Sequence, residues 1–247
     1  KIMYMHRLIL LIILCLLSVP VQAAEGSACA STDTGCLLNL LEQSTAAVAE
    51  DQWRDSTYRE IAKLYAHQKE SAKAIALLGK IKSADTKAMT IRGIGMAAAR
   101  TDMTKPEFDD LFAKLTIEAE KIEHPPSHAI ALTYISMSQA FASDNEGAMK
   151  TAAAMDNAAL RNKAYGEAGE IQAKRGDFDA AMISVRGIDD PGYRDKELRI
   201  ISKVFTDGKF FDPAMKSAEE IKDAYQKSQA LLYILVKQIT PEEVSIE

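Results

Sequence analysis

Apolar and polar positions alternate along this chain in blocks that repeat. Basic residues stand at Arg54, Lys87, His128, Arg161, Arg194 and Lys227, in steps of 33, 41, 33, 33 and 33 residues. Four residues after them come Tyr58, Ile91, Leu132, Tyr165, Leu198 and Leu231, and seven after them Ile61, Ile94, Ile135, Ala168, Ile201 and Ile234. Spacings of four and seven lay both apolar side chains on one helix face. One residue further on the side chain is small at Ala62, Gly95, Ser136, Gly169 and Ser202, until Leu235 breaks the series. A small side chain there lets a second helix approach. That helix follows a break such as Arg175-Gly176-Asp177, carries Ala74-Ile75, Ala148-Met149, Ala181-Met182 and Ala214-Met215, and ends at Ile81, Met155, Ile188 and Ile221. Each unit is therefore predicted to be a pair of amphipathic helices separated by polar or proline-containing turns.

The step of 41 is the exception. Its extra eight residues fall around "TDMTKPEFDD", where Thr104 reads as a helix cap and Pro106 as a first-turn proline. The helix that follows runs to Ile122 and is stopped by His124-Pro125-Pro126, so this second unit has either a longer linker or a longer second helix. Leu37 to Val48 matches only the second helix of a unit, and Ser228 to Ile239 only the first, as terminal half-units would. The predicted fold is all-α: a right-handed α–α superhelical solenoid of about five helix pairs with half-unit caps. Its parts are a signal peptide at 1–23, a disulfide loop and capping helix at 24–52, the repeat domain at 53–239 and a tail at 240–247.

With Tyr165, Ala168, Gly169 and Ala181 in one unit and Tyr58, Ile61, Ala62, Tyr65 and Ala74 in another, the pattern resembles the tetratricopeptide repeat over roughly Trp53 to Ile239. It departs from that family in the insertion, in lacking proline at unit ends, and in placing Gln139 and Gln172 where an aromatic is usual. A generic α–α repeat gives the same fold. The resemblance implies that the first helix of each unit lines a concave face, with side chains two, five, nine, twelve and thirteen residues past the repeating basic position turned toward it. Those positions carry Arg59 and Lys63, then Arg92 and Arg100, then Lys163 and Lys174, and finally Lys196, Arg199 and Lys203, against the acids Glu170 and Asp207. Between them the third unit offers Ile130, Met137 and Phe141, beside Met89 and Met96. A basic trough with an apolar centre suits an acidic or amphipathic segment of a protein partner. The asparagines of the family's carboxylate clamp are absent, so that activity does not transfer.

The repeating arginines also have a plain structural reading. Arg161 and Arg194 lie five residues after Asp156 and Asp189, within reach of a bridge across the turn.

At the start, Lys1, His6 and Arg7 precede an apolar run from Leu8 to Leu17, and Val21-Gln22-Ala23 ends in small residues, the form of an export signal cut after Ala23. The predicted location is periplasmic or secreted, with no membrane span once the signal is removed. Cleavage takes Lys1 and Arg7 from 30 basic residues, so 28 remain against 35 acidic ones, a balance of −7. That acidity argues against nucleic acid as a partner. Cys29 and Cys36 then read as a small disulfide loop, although lipidation of Cys29 is an alternative.

Reactive chemistry is sparse. His124 and His128 are four apart, but Pro125 and Pro126 lie between them and no cysteine or carboxylate cluster completes a metal set. No phosphate loop, nucleophile elbow or His-Glu-x-x-His motif occurs, and paired acids such as Asp189-Asp190 sit where helix caps belong. The chain therefore reads as a non-enzymatic interaction scaffold without a cofactor. The alternatives are a self-associating assembly factor, whose Phe108, Leu111, Phe112 and Leu115 would form an exposed ridge, and a metal-binding or enzymatic protein using His124 and His128.

Overall fold

A computed structural model describes residues 29–240, so the expected signal peptide and most of the expected tail lie outside the described residues. Among the described residues every regular element is helical: twelve α-helices and one short 3-10 turn. The described residues fall into two compact parts, residues 29–40 and 41–240, each taken here by itself. In the first, Cys29 and Cys36 stand at disulfide distance with Cα atoms 5.7 Å apart. Asp33 accepts a hydrogen bond from the Cys36 amide (2.9 Å) as α1 (Thr34–Ala46) begins.

The second part is built from the predicted pairs. The leading helices are α2 (Asp51–His67), α4 (Ala84–Ala98), α6 (Pro125–Phe141), α8 (Ala158–Lys174), α10 (Pro191–Asp207) and α12 (Ala224–Ile239). Each starts three residues before its repeating basic position. The trailing helices are α3 (Ser71–Ala76) with the 3-10 turn Leu77–Lys80, α5 (Lys105–Glu120), α7 (Asn145–Ala153), α9 (Phe178–Arg186) and α11 (Phe211–Glu220). Successive leading helices pack on one another in chain order, and each of the first five carries its own trailing helix. Ile61, Ile94, Ile135, Ala168, Ile201 and Ile234 are all buried in this layer, as their spacing requires.

The extra residues of the second unit go chiefly into the trailing helix, since α5 has 16 residues where α7 and α9 have 9. Glu107 reaches back to the Thr104 amide (2.6 Å) and fixes its start. Phe108, Leu111, Phe112 and Leu115 of α5 are buried, which overturns the expected exposed ridge: their three- and four-residue spacing is the inward stripe of the helix.

The small position behaves as a contact surface. Ser136 Oγ donates to the Ala148 carbonyl (3.0 Å) and Ser202 Oγ to that of Ala214 (2.9 Å). A Cβ on Gly169 would lie 2.8 Å from Val185 Cγ2 and 3.4 Å from the Ala181 carbonyl oxygen. Turns between paired helices repeat as well. Lys69, Ser143, Gly176 and Lys209 occupy equivalent places with φ of 61°, 66°, 79° and 64°. The next amide in each case returns to a carbonyl five residues earlier, as Asp177 does to Gln172 (3.0 Å) and Phe210 to Phe205 (2.8 Å), which closes the helix end.

Neighbouring units are joined by a device the periodicity did not reveal. Buried Asp55 accepts from the Lys82 and Ser83 amides (2.9 and 2.8 Å), Asn162 from Asp189 (3.0 Å), and Asp195 from Lys222 and Asp223 (3.2 and 2.7 Å). Each side chain thus holds the backbone that opens the next leading helix, while Ala88 and Ala129 carry no acceptor at the equivalent place. The repeating arginines act on backbone too. Arg54, Arg161 and Arg194 donate to the carbonyls of Val48, Met155 and Ile188 (3.2, 2.8 and 3.4 Å). Arg161 pairs with Asp189 (2.6 Å) rather than with Asp156, because one Nη donates to the Met155 carbonyl while Nε and the other Nη face Asp189, and among the described residues no ion pair joins Arg194 to Asp189. Asp190 and Asp223 serve as helix caps, accepting from Tyr193 (2.6 Å) and Gln226 (2.8 Å).

Two outcomes follow for stability. Gly169→Leu overfills the α8–α9 contact and lowers the unfolding free energy by about 3 kcal/mol in urea titrations. Asp195→Ala strips two backbone amides of their acceptor and costs about 2 kcal/mol. Asp195→Asn, which copies the arrangement already used at Asn162, costs less than half as much in the same titration.

Candidate functional site

The leading helices bring the predicted cations together at one place. Arg59 and Lys63 from α2 and Arg92 and Arg100 from the α4 segment line a cleft of about 350 Å³, with Met89, Met96, Glu60 and His67. Gly93 is part of its wall: a Cβ there would lie 2.8 Å from Lys63 Cγ, so the absence of a side chain lets the Lys63 stem lie against α4.

The four cations are held differently. Glu60 bonds both Arg59 (3.0 Å) and Lys63 (2.5 Å). The hydrogen bond from Lys63, followed by that from Arg59, holds the Glu60 carboxyl below the ordinary carboxylate range. Arg92 and Arg100 have no acid partner among the described residues. Their guanidinium groups instead lie over aromatic rings of α6, Arg92 over Tyr134 at 5.3 Å and Arg100 over Phe141 at 6.0 Å. Both distances lie within reach of a cation–π contact. Arg92 Nε is itself buried and makes no hydrogen bond among the described residues.

The other expected groove residues do not extend this cleft. Met137, nine residues past His128, is only 8% exposed and fills the interior; Ile130 is half-buried, and Phe141 is exposed beside Arg100. Lys163, Lys174 and Lys196 are exposed on α8 and α10, where Lys174 pairs with Glu170 (3.8 Å) and Lys196 lies over the Tyr193 ring at 5.4 Å. Arg199 is half-buried with Nε unbonded. Lys203 lies over Tyr233 at 4.9 Å, and the Tyr233 hydroxyl donates to Asp207 (2.6 Å). Burial and that carboxylate push the Tyr233 hydroxyl up to about 12.

An acidic cluster at α8 and α10 was not anticipated. Glu197 is 3% exposed, Oε2 has no hydrogen-bond partner, and Gly166 makes the room it occupies, since a Cβ there would lie 2.9 Å from Glu197 Cδ. Burial first, then the charge of Glu170, pushes the Glu197 carboxyl up. Burial and Glu167 do the same to Glu170. The Tyr193 hydroxyl is raised strongly, by burial and by Glu197. The row of leading helices is therefore cationic at α2 and α4 and mixed at α8 and α10, rather than one continuous basic trough.

His124 and His128 do not converge. His124 caps α6 and its Nδ1 lies 2.6 Å from Ser127 Oγ, while His128 lines a separate cavity of about 720 Å³ among α5, α6 and α7. Buried Ser127 donates in turn to Asp85. The serine stands between acid and imidazole, so this chain fastens α6 to α4 and does not present an activated hydroxyl. Among the described residues no group of three acidic, histidine or cysteine side chains is placed to hold a metal ion, and no helix is long and apolar enough to cross a membrane.

No family model, curated protein or solved structure matches the chain.

Tyr134, Glu60 and Glu197 were missed by sequence reasoning. Tyr134 and Glu197 lie six and three residues past the basic position, outside the offsets that the family resemblance supplies. For Glu197 the available signal was Gly166, which marks the helix on which that side chain rests.

The buried carboxyl has a consequence for pH. The folded chain holds the Glu197 proton more tightly than the unfolded chain, so its ionisation destabilises the fold as pH rises above the ordinary glutamate value of 4.5. Acidification back toward 4.5 removes that penalty. Glu197→Gln therefore raises Tm at pH 7.5, and the gain shrinks toward zero as thermal melts of both proteins are moved to pH 4.5.

Proposed function

We propose that this chain is an exported, non-enzymatic binding scaffold: a tetratricopeptide-like α–α solenoid whose leading helices hold an acidic or amphipathic segment of a protein partner. The observation that carries the reading is the cleft between α2 and α4, in which Arg92 and Arg100 are fixed on aromatic rings without a carboxylate of their own. Ion pairs supplied within the chain would have quenched such a site, as Glu60 does for Arg59 and Lys63. Met89 and Met96 add an adaptable apolar surface beside the charges. Export is supported by the form of residues 1–23 and by a cysteine pair suited to an oxidising compartment.

The test is photocrosslinking in the producing cell from a probe at Met89, with a probe at Lys150 on a trailing helix as reference. A discrete adduct from position 89 is expected, and it should disappear in an Arg92→Glu, Arg100→Glu double variant. An adduct that survives the charge reversal, or none beyond that seen from position 150, removes the cleft as a binding site.

A further inference from the structure

The cleft also specifies the order of residues in what it holds, an inference that rests on the scaffold reading. Arg92, Met96 and Arg100 succeed one another at intervals of four along a single stripe. Arg100 lies just past the end of α4, but Ala99 keeps helical dihedrals (φ −62°, ψ −11°), so the stripe continues through it. Each interval of four residues advances about 6 Å along a helix. An extended chain advances about 6.6 Å for every two residues and returns its side chain to the same face. The two repeats match over the length of this stripe.

We infer that the cleft binds an extended partner segment of the form acidic–any–apolar–any–acidic, laid along α4 with its carboxylates on Arg92 and Arg100 and its central apolar side chain on Met96. Three features of the chain favour this occupant. The two guanidinium groups are the cations of the cleft without an acid beside them, and rings of α6 hold both. A guanidinium without an internal acid partner is suited to pairing with a carboxylate. Methionine lies between the charges, where a third cation would have called for an unbroken acidic run. Lys63 and Arg59, already shared by Glu60, form one wall of the cleft and supply general attraction without register.

Fluorescence anisotropy with labelled synthetic peptides and the purified chain tests this directly. A peptide with a Glu-Ser-Leu-Ser-Glu core is compared with the permuted core Leu-Ser-Glu-Glu-Ser, which has the same composition and charge. The ordered core is expected to bind about tenfold more tightly. Arg92→Gln and Arg100→Gln each weaken it, and Met96→Asp abolishes the difference between the two peptides, with circular dichroism confirming that the variants remain folded. Equal binding of the two cores, or no binding of the ordered core, overturns the proposed order. The crosslink from Met89 is read independently: its persistence in either case keeps the scaffold and discards only the register.

Discussion

The arrangement depends on how closely the second helix of each pair can approach the first. At Ser136, Gly169 and Ser202 the approach is close enough for side-chain or backbone contact with the alanine twelve residues later, and any larger side chain pushes the pair apart. Interiors packed to this density do not deform gradually, so a fixed separation within each pair also fixes the angle at which the next pair is received. Gly95 shows what happens when the trailing helix changes. With the longer α5 in place, a Cβ there would lie 2.6 Å from Ser138 Cβ on α6, and the glycine admits the next leading helix instead. That close meeting of α4 with α6 is the contact across which Tyr134 and Phe141 reach Arg92 and Arg100.

Polar groups set the register of the apolar layer. An aliphatic seam of isoleucines and alanines would tolerate sliding by a turn, because its contacts are non-directional. Asp55, Asn162 and Asp195 remove that freedom by capturing the amides at the start of the following helix, where unsatisfied donors are already present. The arginines beside them tie the carbonyls at the end of the preceding unit. Direction comes from this polar lattice, and cohesion from the apolar seam. At the second and third units alanine replaces the acceptor, and the Asp85–Ser127–His124 chain makes the connection from α4 to α6.

The helix pairs were legible in the sequence because period, burial and small-residue position all report the same contact, and six printings of one pattern average out local accidents. Even the site of the insertion was visible, although periodicity could not distinguish a longer helix from a longer loop. The charge pattern was legible only in part. Offsets along a helix told which side chains share a face, and they placed Arg59, Lys63, Arg92 and Arg100 together. They could not tell that Glu60 shares two of those cations, that Met137 turns inward, or that Glu197 enters the space left by Gly166. Those facts depend on the neighbouring helix, which a single periodic stripe does not encode.

Ionisable groups on α4 and α10 sit in different surroundings. At α10 the Glu197 carboxyl is buried beside the Tyr193 hydroxyl with Oε2 unbonded, and its ionisation works against the fold. At α4 Arg100 is exposed and Arg92 is half-buried with its Nε enclosed, and the rings of α6 lie beside both guanidinium groups. The proposed binding would need less ordering of long side chains there than an equal pair of free lysines would need. The proposed register thus rests on the order of Arg92, Met96 and Arg100 along α4 rather than on the sum of charge there.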